Sequence, residues 1–445
     1  MNFTSLRRFA GSLGSGFPVA LVLGLATLLL PLLASAAEAG SIQIAWHQGH
    51  PRLRWNNTTG SAFQLWSSPE LAGSQESHAV FITSDAREVR WVDESPDPAQ
   101  RFYRWQTANE APAANQWQAA LNQIRTTAVV AGATAAIITS NGVWVGTSGY
   151  ADRVARTQTE PQMRFCVGGI SKSFAAATLL QLAEEGRLSL DDPLKKWLPD
   201  FLHVPNTITL RQVLDHTSGI YDYFDSADWE QRMLARPGDP LTLEELFAYV
   251  GDPYFSPGIA FHYSSTGYLL LGLVIEKVTG HRVMEEYRQR FIKPLGLSSI
   301  YMRQAEPATG DSPHPYSYFN PSGTEKDISS TPDAAYFSCI GAAGGLFSSV
   351  EDIARWTHAL WSGSLLSPRS YREMIAWNPV GGDEKYGFAV WSQDTDRGEF
   401  YVHSGHVPGY RVFAGYSPTL NATVVLAFNS DHFILESWLR LVSEL

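Results

Sequence analysis

The stretch Phe165-Cys166-Val167-Gly168-Gly169-Ile170-Ser171-Lys172-Ser173-Phe174 leads from a short apolar segment into a strongly helical one. The helical pattern continues over 174–182 and stops before Gly186, because glycine readily takes the positive φ that ends a helix. A lysine in the first turn of such an apolar helix is partly buried, and burial lowers the pKa of its ammonium group. Lys172 is therefore a candidate base, and we expect the rest of the chain to be organised around this helix.

The composition sets the first limits on fold and function. With 445 residues the chain is too long for one small domain and predicts two or three. Its apolar content of 44% and charged content of 17% are typical of a globular protein. A formal net charge of −11 argues against nucleic acid as a partner, because phosphate binding needs a basic surface. The only cysteines, Cys166 and Cys339, are either two buried thiols or one disulfide bridge.

The first residues have the pattern of a targeting segment. Arg7 and Arg8 precede an apolar run over 19–33, and Ala34-Ser35-Ala36 has the small residues of a cleavage site. We predict a signal peptide over 1–36 and an exported mature chain, periplasmic or secreted, with no membrane attachment after cleavage. An uncleaved membrane anchor is the alternative interpretation of the same segment.

Residues 41–108 have the pattern of short strands. Segments such as 42–46 and 89–92 alternate apolar and polar residues, and turn-forming residues separate them. We expect a small all-β accessory domain, a β-sandwich, over 41–108, followed by a linker over 109–115 and a large domain over 116–445. The aromatic residues of the small domain either form its core or bind carbohydrate.

The large domain begins with an amphipathic helix over 116–124, followed by a predicted hairpin. The apolar segments 134–139 and 143–146 flank Ser140-Asn141-Gly142. An Asn-Gly turn between two such segments is a strong hairpin signal.

Seven short sequence blocks then follow one another through the large domain. They are Gly149-Tyr150-Ala151-Asp152, Leu190-Asp191-Asp192-Pro193-Leu194, Leu214-Asp215-His216-Thr217-Ser218-Gly219, the segment 257–268, Ala343-Gly344-Gly345-Leu346, Tyr386-Gly387-Phe388 and the segment 403–409. In this order they resemble the serine β-lactamase family, which includes class C β-lactamases, D-alanyl-D-alanine carboxypeptidases and related esterases. The resemblance implies an α/β (α+β) fold of the β-lactamase/transpeptidase type. In it, a predominantly antiparallel sheet is flanked by helices, and a helical subdomain over 189–304 lies beside the active site.

The resemblance also implies roles for single residues. Tyr263 matches the tyrosine of the family's second motif, Tyr-x-Asn, the general base for the nucleophile, and Lys172 would stabilise its phenolate and lower its pKa. Ser265 stands where asparagine is usual, which shortens the reach toward an amide substrate and leaves ester chemistry open. Tyr221 lies just beyond the third block and either lines the substrate cleft or is architectural.

The third motif is His403-Ser404-Gly405, which resembles Lys-Thr-Gly or His-x-Gly on a strand beside the site. It implies substrate binding by Ser404 and by His403, whose charge depends on pH. The backbone N–H groups of Gly169 and His406 would be the oxyanion donors. His403 and His406 also form a His-x-x-His pair, but without a third ligand this is a weak metal signal, and no metal or cofactor is expected.

The nucleophile position is the main departure from the family. The family places its serine three residues before the lysine, as Ser-x-x-Lys, and here that residue is Gly169. No lysine in the chain has a serine three residues before it. Ser171 and Ser173 flank Lys172, but adjacent helical residues point about 100° apart, so neither shares its face. A Gly-x-Ser-x-Gly elbow is also missing, which excludes the α/β-hydrolase alternative.

Two functions are compatible with this sequence. In the first, the protein is a non-catalytic binder of a small-molecule or cell-wall peptide or ester ligand. In the second, it is a hydrolase (an esterase, carboxypeptidase or β-lactamase), active in a parent that carries serine at position 169. With Gly169 we expect no acyl-enzyme, because loss of a serine nucleophile costs about 10⁶ in kcat.

Overall fold

The fold is described by a computed structural model that covers residues 21–22, 43–47, 50–56, 63–68, 78–84, 88–93, 102–107, 112–198, 204–320, 322–432 and 435–445. The predicted cleavage site Ala34-Ser35-Ala36 and all of the predicted signal peptide except 21–22 lie outside these residues. Within the described ranges, none of the helices is long and apolar enough to cross a membrane.

The strands are β1 (Leu21–Val22), β2 (Gln43–His47), β3 (His50–Asn56), β4 (Phe63–Ser68), β5 (His78–Ser84), β6 (Glu88–Val92), β7 (Phe102–Thr107), β8 (Gly132–Thr139), β9 (Gly142–Asp152), β10 (Thr157–Gln158), β11 (Phe165–Cys166), β12 (Tyr301–Met302), β13 (Tyr316–Ser317), β14 (Lys326–Asp327), β15 (Leu346–Ser348), β16 (Asn378–Gly381), β17 (Glu384–Tyr386), β18 (Trp391–Thr395), β19 (Gly398–Val407), β20 (Tyr410–Ser417) and β21 (Ala422–Phe428).

The helices are α1 (Pro112–Ala128), α2 (Ser171–Glu184), α3 (Leu194–Trp197), α4 (Leu210–Leu214), α5 (Ala227–Ala235), α6 (Leu243–Phe247), α7 (Ser265–Thr279), α8 (Val283–Tyr287), α9 (Ala334–Gly344), α10 (Val350–Trp361), α11 (Pro368–Met374) and α12 (Leu435–Ser443).

The centre of the large domain is a predominantly antiparallel sheet, as expected for this fold class. Its strands follow the order β1-β7-β4-β5-β9-β8-β21-β20-β19-β18-β17-β16, with β10 paired to β9. The predicted Asn-Gly hairpin is confirmed, because β8 and β9 pair with Thr139 opposite Gly142. Alternate residues of β8 enter two different cores, Ile137 on the side of α1 and α12, and Ile138 on the side of α10. Helices therefore cover both faces of the sheet.

The all-β N-terminal region is present and continues the central sheet. Strand β5 runs parallel to β9, with Val80 opposite Val143, and β4 and β7 extend the sheet beyond β5. Strands β2, β3 and β6 form a second sheet. Trp55 and Trp91 are buried in the same core as residues of the large domain, so these two aromatics are structural.

The start of the large domain differs from the sequence prediction. Helix α1 begins at Pro112, inside the predicted linker 109–115, and extends beyond the predicted 116–124 to Ala128. Proline suits the first turn of a helix because the N–H it lacks would have no intrahelical partner there. The boundary shift arises because the helix packs along β9 and β5, which extends it beyond its amphipathic segment.

Two central helices end where the sequence predicted. Gly186 follows α2 with a φ of 70°, and Gly280 follows α7 with a φ of 79°. Helices α2, α7 and α9 pack against one another, and most of α2 is buried. Cys166 and Cys339 are both buried free thiols. Helix α2 therefore contacts α7 and α8 of the predicted subdomain, and the turn before it contacts strands β19 and β20 of the sheet.

Candidate active site

Helix α2 is preceded by a 3₁₀ turn, Gly168–Ile170, that lies against strand β19. Gly168 has a φ of 49°, and a Cβ atom there would lie 2.8 Å from the backbone nitrogen of His406. A Cβ atom on Gly405 would lie 2.0 Å from the carbonyl oxygen of Val167. Only glycine allows this close approach of two backbones, so the paired glycines hold the turn and the strand together.

Lys172 lies in the first turn of α2 and is buried, with 2% of its surface exposed. Its Nζ donates hydrogen bonds to the carbonyl oxygen of Ala343 at 2.8 Å and to Oγ of Ser265 at 3.4 Å. The same atom lies 4.6 Å from the ring centroid of Tyr263. Burial lowers the pKa of Lys172 to about 7, although Asp222 opposes the shift. Neutral lysine is therefore well populated near pH 7, as a base requires.

Helix α7 brings the second motif to the same place. Ser264 caps this helix, and its Oγ accepts a hydrogen bond from the N–H of Gly267 at 3.2 Å. Tyr263 therefore lies just before the helix and Ser265 at its first position. The N–H of Ser265 donates to Oδ2 of Asp222 at 2.8 Å. Burial raises the pKa of Asp222, against the opposing effect of its N–H donors and of Lys172.

Strand β19 presents a free edge to the site. Strand β18 stops where Trp391 pairs with Val402, so among the described strands residues 403–407 pair only with β20. The free edge faces the 3₁₀ turn, where an extended substrate backbone can be added to the sheet. The two predicted oxyanion donors lie on the two sides of the contact between the 3₁₀ turn and β19. The backbone nitrogen of Gly169 belongs to the turn, and that of His406 belongs to the strand.

His403 is buried and uncharged. Its Nδ1–H donates to the carbonyl oxygen of Ser404 at 2.8 Å, so Nε2 is the acceptor for Oη of Tyr386 at 3.4 Å. Burial, with Lys172 nearby, lowers the pKa of His403 to about 3. The expectation of a pH-dependent charge at His403 is wrong for neutral pH, because the ring has been removed from water.

The space beside Gly169 is filled. A Cβ atom at this position would lie 2.7 Å from Cε1 of His403, 2.9 Å from the carbonyl oxygen of Ser404 and 2.9 Å from Oη of Tyr263. Side-chain carbons do not normally approach other atoms this closely, so any larger residue displaces at least one of the three. Because Tyr263 Oη is this close to the Cβ position, a side chain at position 169 would contact the predicted base directly.

Tyr263 lies in a cluster of buried rings. The ring of His216 lies 4.3 Å from that of Tyr263 and 5.0 Å from that of Tyr386. Burial, with Asp222 nearby, raises the pKa of Tyr263 above its usual value. The expectation that Lys172 lowers this pKa is wrong, because removing the phenol from water has the larger effect.

Two predicted site residues differ in how they are placed around this cluster. Ser404 alternates with His403 along β19, and its pairing partner Phe413 belongs to the buried core under α12. The backbone carbonyl of Ser404, rather than its hydroxyl, is the group beside Gly169. The ring of Tyr221 stacks on that of Tyr254, with centroids 5.0 Å apart.

Three further residues belong to the site although the sequence analysis did not select them. Asp222 bonds the start of α7, and Tyr386 faces His403. His216 accepts a hydrogen bond at Nδ1 from the N–H of Ser264 at 3.1 Å, and its Nε2 has no hydrogen-bond partner among the described residues. His216 and Tyr386 lie inside the blocks that carry the family resemblance, which was a signal for both. No sequence signal distinguished Asp222.

One group outside the site has metal-ligand atoms close together. A ligand atom from each of Asp152, His314 and Asp327 lies within 4.8 Å of the others. Nδ1 of His314 already pairs with Oδ2 of Asp327 at 2.9 Å. An ion pair accounts for this arrangement without a metal. His403 and His406, which form only a weak metal signal in the sequence, are not part of this group.

Known proteins are similar to this chain over the region that contains the sequence blocks. A family model described as Beta-lactamase matches residues 117–441, a range that contains every residue of the site. Penicillin-binding protein 4* of Bacillus subtilis (strain 168) is 29% identical over 276 residues, which are 59% of this chain and 60% of that protein. The chain therefore spans less than two thirds of that relative's length.

Two solved structures have the same fold over most of their length. A D-stereospecific amidohydrolase from Streptomyces sp. is 31% identical with a TM-score of 0.66, covering 73% of this chain and 97% of its own. The D-amino acid amidase from Ochrobactrum anthropi SV3, solved with L-phenylalanine amide, also has a TM-score of 0.66 at 24% identity, covering 75% and 98%. At that lower identity the likeness shows the fold alone.

Proposed function

This chain belongs to the beta-lactamase family, and from that premise we propose that it is an exported protein that binds D-Ala-type peptides, related amides or esters without forming an acyl-enzyme. In this proposal Lys172, Tyr263, Ser265 and the edge of β19 form a ligand site, and Gly169 contributes only its N–H. The similarity to a D-stereospecific amidohydrolase supports a ligand of this class.

One observation carries the proposal. The position of a Cβ atom on Gly169 lies within 2.9 Å of Tyr263 Oη and 2.7 Å of His403 Cε1. The place of the family's nucleophile is therefore next to the base, but this chain has no hydroxyl there. Loss of a serine nucleophile corresponds to about 8 kcal/mol of activation free energy, which is enough to abolish turnover on a laboratory timescale.

A second candidate function is that of an active hydrolase whose parent carries serine at 169. It is favoured by the retention of the other groups, because Lys172 has its pKa lowered to about 7 and still contacts Ser265 and the ring of Tyr263. A base poised near neutral pH is what general base catalysis requires.

Intact-mass measurement separates the two functions. The wild-type chain, Gly169→Ser and Gly169→Ala are each incubated with a β-lactam and with a p-nitrophenyl ester. The alanine variant is the matched control, because it adds the same Cβ atom without a hydroxyl. We expect no adduct on the wild-type or alanine chains, and a stable adduct on the wild-type chain would overturn the proposal. Ester turnover by Gly169→Ser alone would support an active parent.

Ligand binding is measured separately by calorimetric titration of the wild-type chain. The probes are D-phenylalanine amide and its N-acetyl derivative, and Lys172→Met is the comparison because Lys172 lies inside the site. Saturable binding that weakens in Lys172→Met would support the binder. Absence of binding for both probes would refute it.

A further inference from the structure

A half-exposed carboxylate lies near the candidate site without a cationic side chain beside it. Asp225 is the last residue of a 3₁₀ turn, Tyr223–Asp225, and 51% of its side chain is exposed. Among the described residues no lysine or arginine forms an ion pair with it. The contact within ion-pair distance is Nε2 of His262, 3.8 Å from Oδ2 of Asp225.

Three stacked rings stand beside this carboxylate. Tyr254 is sandwiched between Tyr221 and His262, with centroid distances of 5.0 Å and 3.7 Å and interplanar angles of 24° on both sides. Oη of Tyr254 donates a hydrogen bond to Oδ2 of Asp225 and accepts one from the N–H of Asp222 at 3.1 Å. Burial, together with the hydrogen bond to Asp225, raises the pKa of Tyr254, so this phenol keeps its proton and fixes the carboxylate.

The ring stack and the carboxylate are connected directly to the candidate site. His262 is the residue before Tyr263, and Asp222 accepts the N–H of Ser265 at 2.8 Å. The N–H of Asp225 also bonds the carbonyl oxygen of Asp222 at 2.9 Å, so the carboxylate belongs to the segment that contacts the start of α7.

The acceptor geometry indicates which substituent this is. Nδ1–H of His262 donates to the carbonyl oxygen of Tyr263 at 3.0 Å, so in the neutral ring Nε2 carries a lone pair. Two acceptors, Nε2 of His262 and Oδ2 of Asp225, then lie 3.8 Å apart. A donor placed between them can bond both. An ammonium group has three N–H donors and a positive charge, so it can bond both acceptors and pair with the carboxylate.

We propose that Asp225 and His262 bind the free α-amino group of the ligand, so that the site prefers amino-acid or peptide derivatives with an unblocked N-terminus. This inference rests on the proposed function, since it assigns one end of the ligand in that same site. A ligand with an anionic group at this end is disfavoured, because Asp222 and Asp225 both carry carboxylates here.

The test compares two ligands that differ only in this amine. D-phenylalanine amide and N-acetyl-D-phenylalanine amide are titrated into the full chain near pH 7, where an α-amino group is still largely protonated. We expect the free amine to bind about three- to tenfold more tightly, as for a partly exposed charge-assisted contact. Asp225→Asn should remove this preference while leaving the affinity for the acetylated ligand unchanged.

Two controls keep the result specific. Asp225→Asn retains the acceptor for Tyr254, so its fold should be intact, and Tyr254→Phe should weaken the preference by freeing the carboxylate. Asp191→Asn removes an exposed carboxylate that pairs with Arg211 instead, and it should change neither affinity. Equal binding of both ligands, unaffected by Asp225→Asn, would overturn this inference and leave the proposed function standing. Binding of neither ligand would overturn the proposed function itself.

Discussion

The substitution Gly169→Ala adds one methyl group and has two opposing effects on the free energy of unfolding. Gly169 is not among the residues with positive φ, so alanine fits its backbone. Replacing such a glycine with alanine normally stabilises a protein by about 0.4–1 kcal/mol, because the unfolded chain loses freedom. The packing at Gly169 predicts the reverse. Its Cβ atom would lie 2.7 Å from His403 Cε1 and 2.9 Å from the Ser404 carbonyl oxygen, and overpacking of this kind costs about 1–3 kcal/mol.

We therefore expect Gly169→Ala to lower the free energy of unfolding by about 1–2 kcal/mol. The measurement is urea-induced unfolding followed by far-UV circular dichroism, with the midpoint compared at constant slope. Gly344→Ala is the matched control. Gly344 is buried close to the same turn, but the nearest atom to its Cβ position is 3.6 Å away, so it should be neutral or slightly stabilising.

A double-mutant cycle assigns the cost to a contact. His403→Ala removes Cε1, so the loss caused by Gly169→Ala should be smaller in that background by at least about 0.5 kcal/mol. The close contact between the alanine Cβ atom and the Ser404 backbone remains in this background, so part of the stability loss remains as well. If Gly169→Ala were as stable as wild type, the space beside position 169 would be open and the steric basis of the proposed function would fail.

Three further changes test other parts of the molecule. The free energy of unfolding of wild type, relative to that of Lys172→Met, should rise from pH 7 toward pH 10 by up to about 1.4 kcal/mol per pH unit. The reason is that the pKa of about 7 in the folded state lies below that of an unfolded lysine, so only the unfolded chain binds the proton in this window. A difference that does not change with pH would contradict the lowered pKa. Gly280→Ala should cost about 1–2 kcal/mol in urea unfolding, since its φ is 79° and no neighbouring atom lies within 4 Å of the added Cβ, which leaves backbone strain as the cause. Truncation before Pro112 should produce aggregates in size-exclusion chromatography, because it uncovers the β9 edge that β5 occupies; a stable monomer would instead support an independent accessory domain.

The parts of the fold set by local chemistry could be predicted from the sequence. Gly186 and Gly280 end their helices through positive φ, and Asn141-Gly142 makes the β8–β9 hairpin. These features need only the residues beside them. The parallel pairing of β5 with β9 could not be predicted, because it joins segments about sixty residues apart and neither strand's alternation specifies its neighbour.

The site was predictable to a similar extent. The apolar helix identified Lys172 and the block 257–268 identified Tyr263 and Ser265, and the structure brings these three together. The lowered pKa of Lys172 was predicted from the sequence and is confirmed. The pKa shifts of Tyr263 and His403 were not predictable, because they follow from how far the fold removes each ring from water. Asp222 could not be predicted as a site residue, because its hydrogen bond to the first residue of α7 depends on the fold and has no local sequence pattern.

The packing around Gly169 also bears on whether water could replace the missing serine. A water molecule needs its own share of volume, roughly 30 Å³ in the liquid, together with polar partners. Tyr263 Oη is one such partner, but it lies only 2.9 Å from the place of a Cβ atom, and His403 Cε1 lies 2.7 Å from the same place. A water at this point would be at hydrogen-bond distance from Tyr263 Oη but too close to the Cε1 carbon of His403, so hydrolysis by that route requires His403 to move first. His403 is held at both ring nitrogens, by Ser404 and by Tyr386, which opposes such a movement. The absence of the nucleophile and the position of His403 therefore act in the same direction, and both favour binding over turnover.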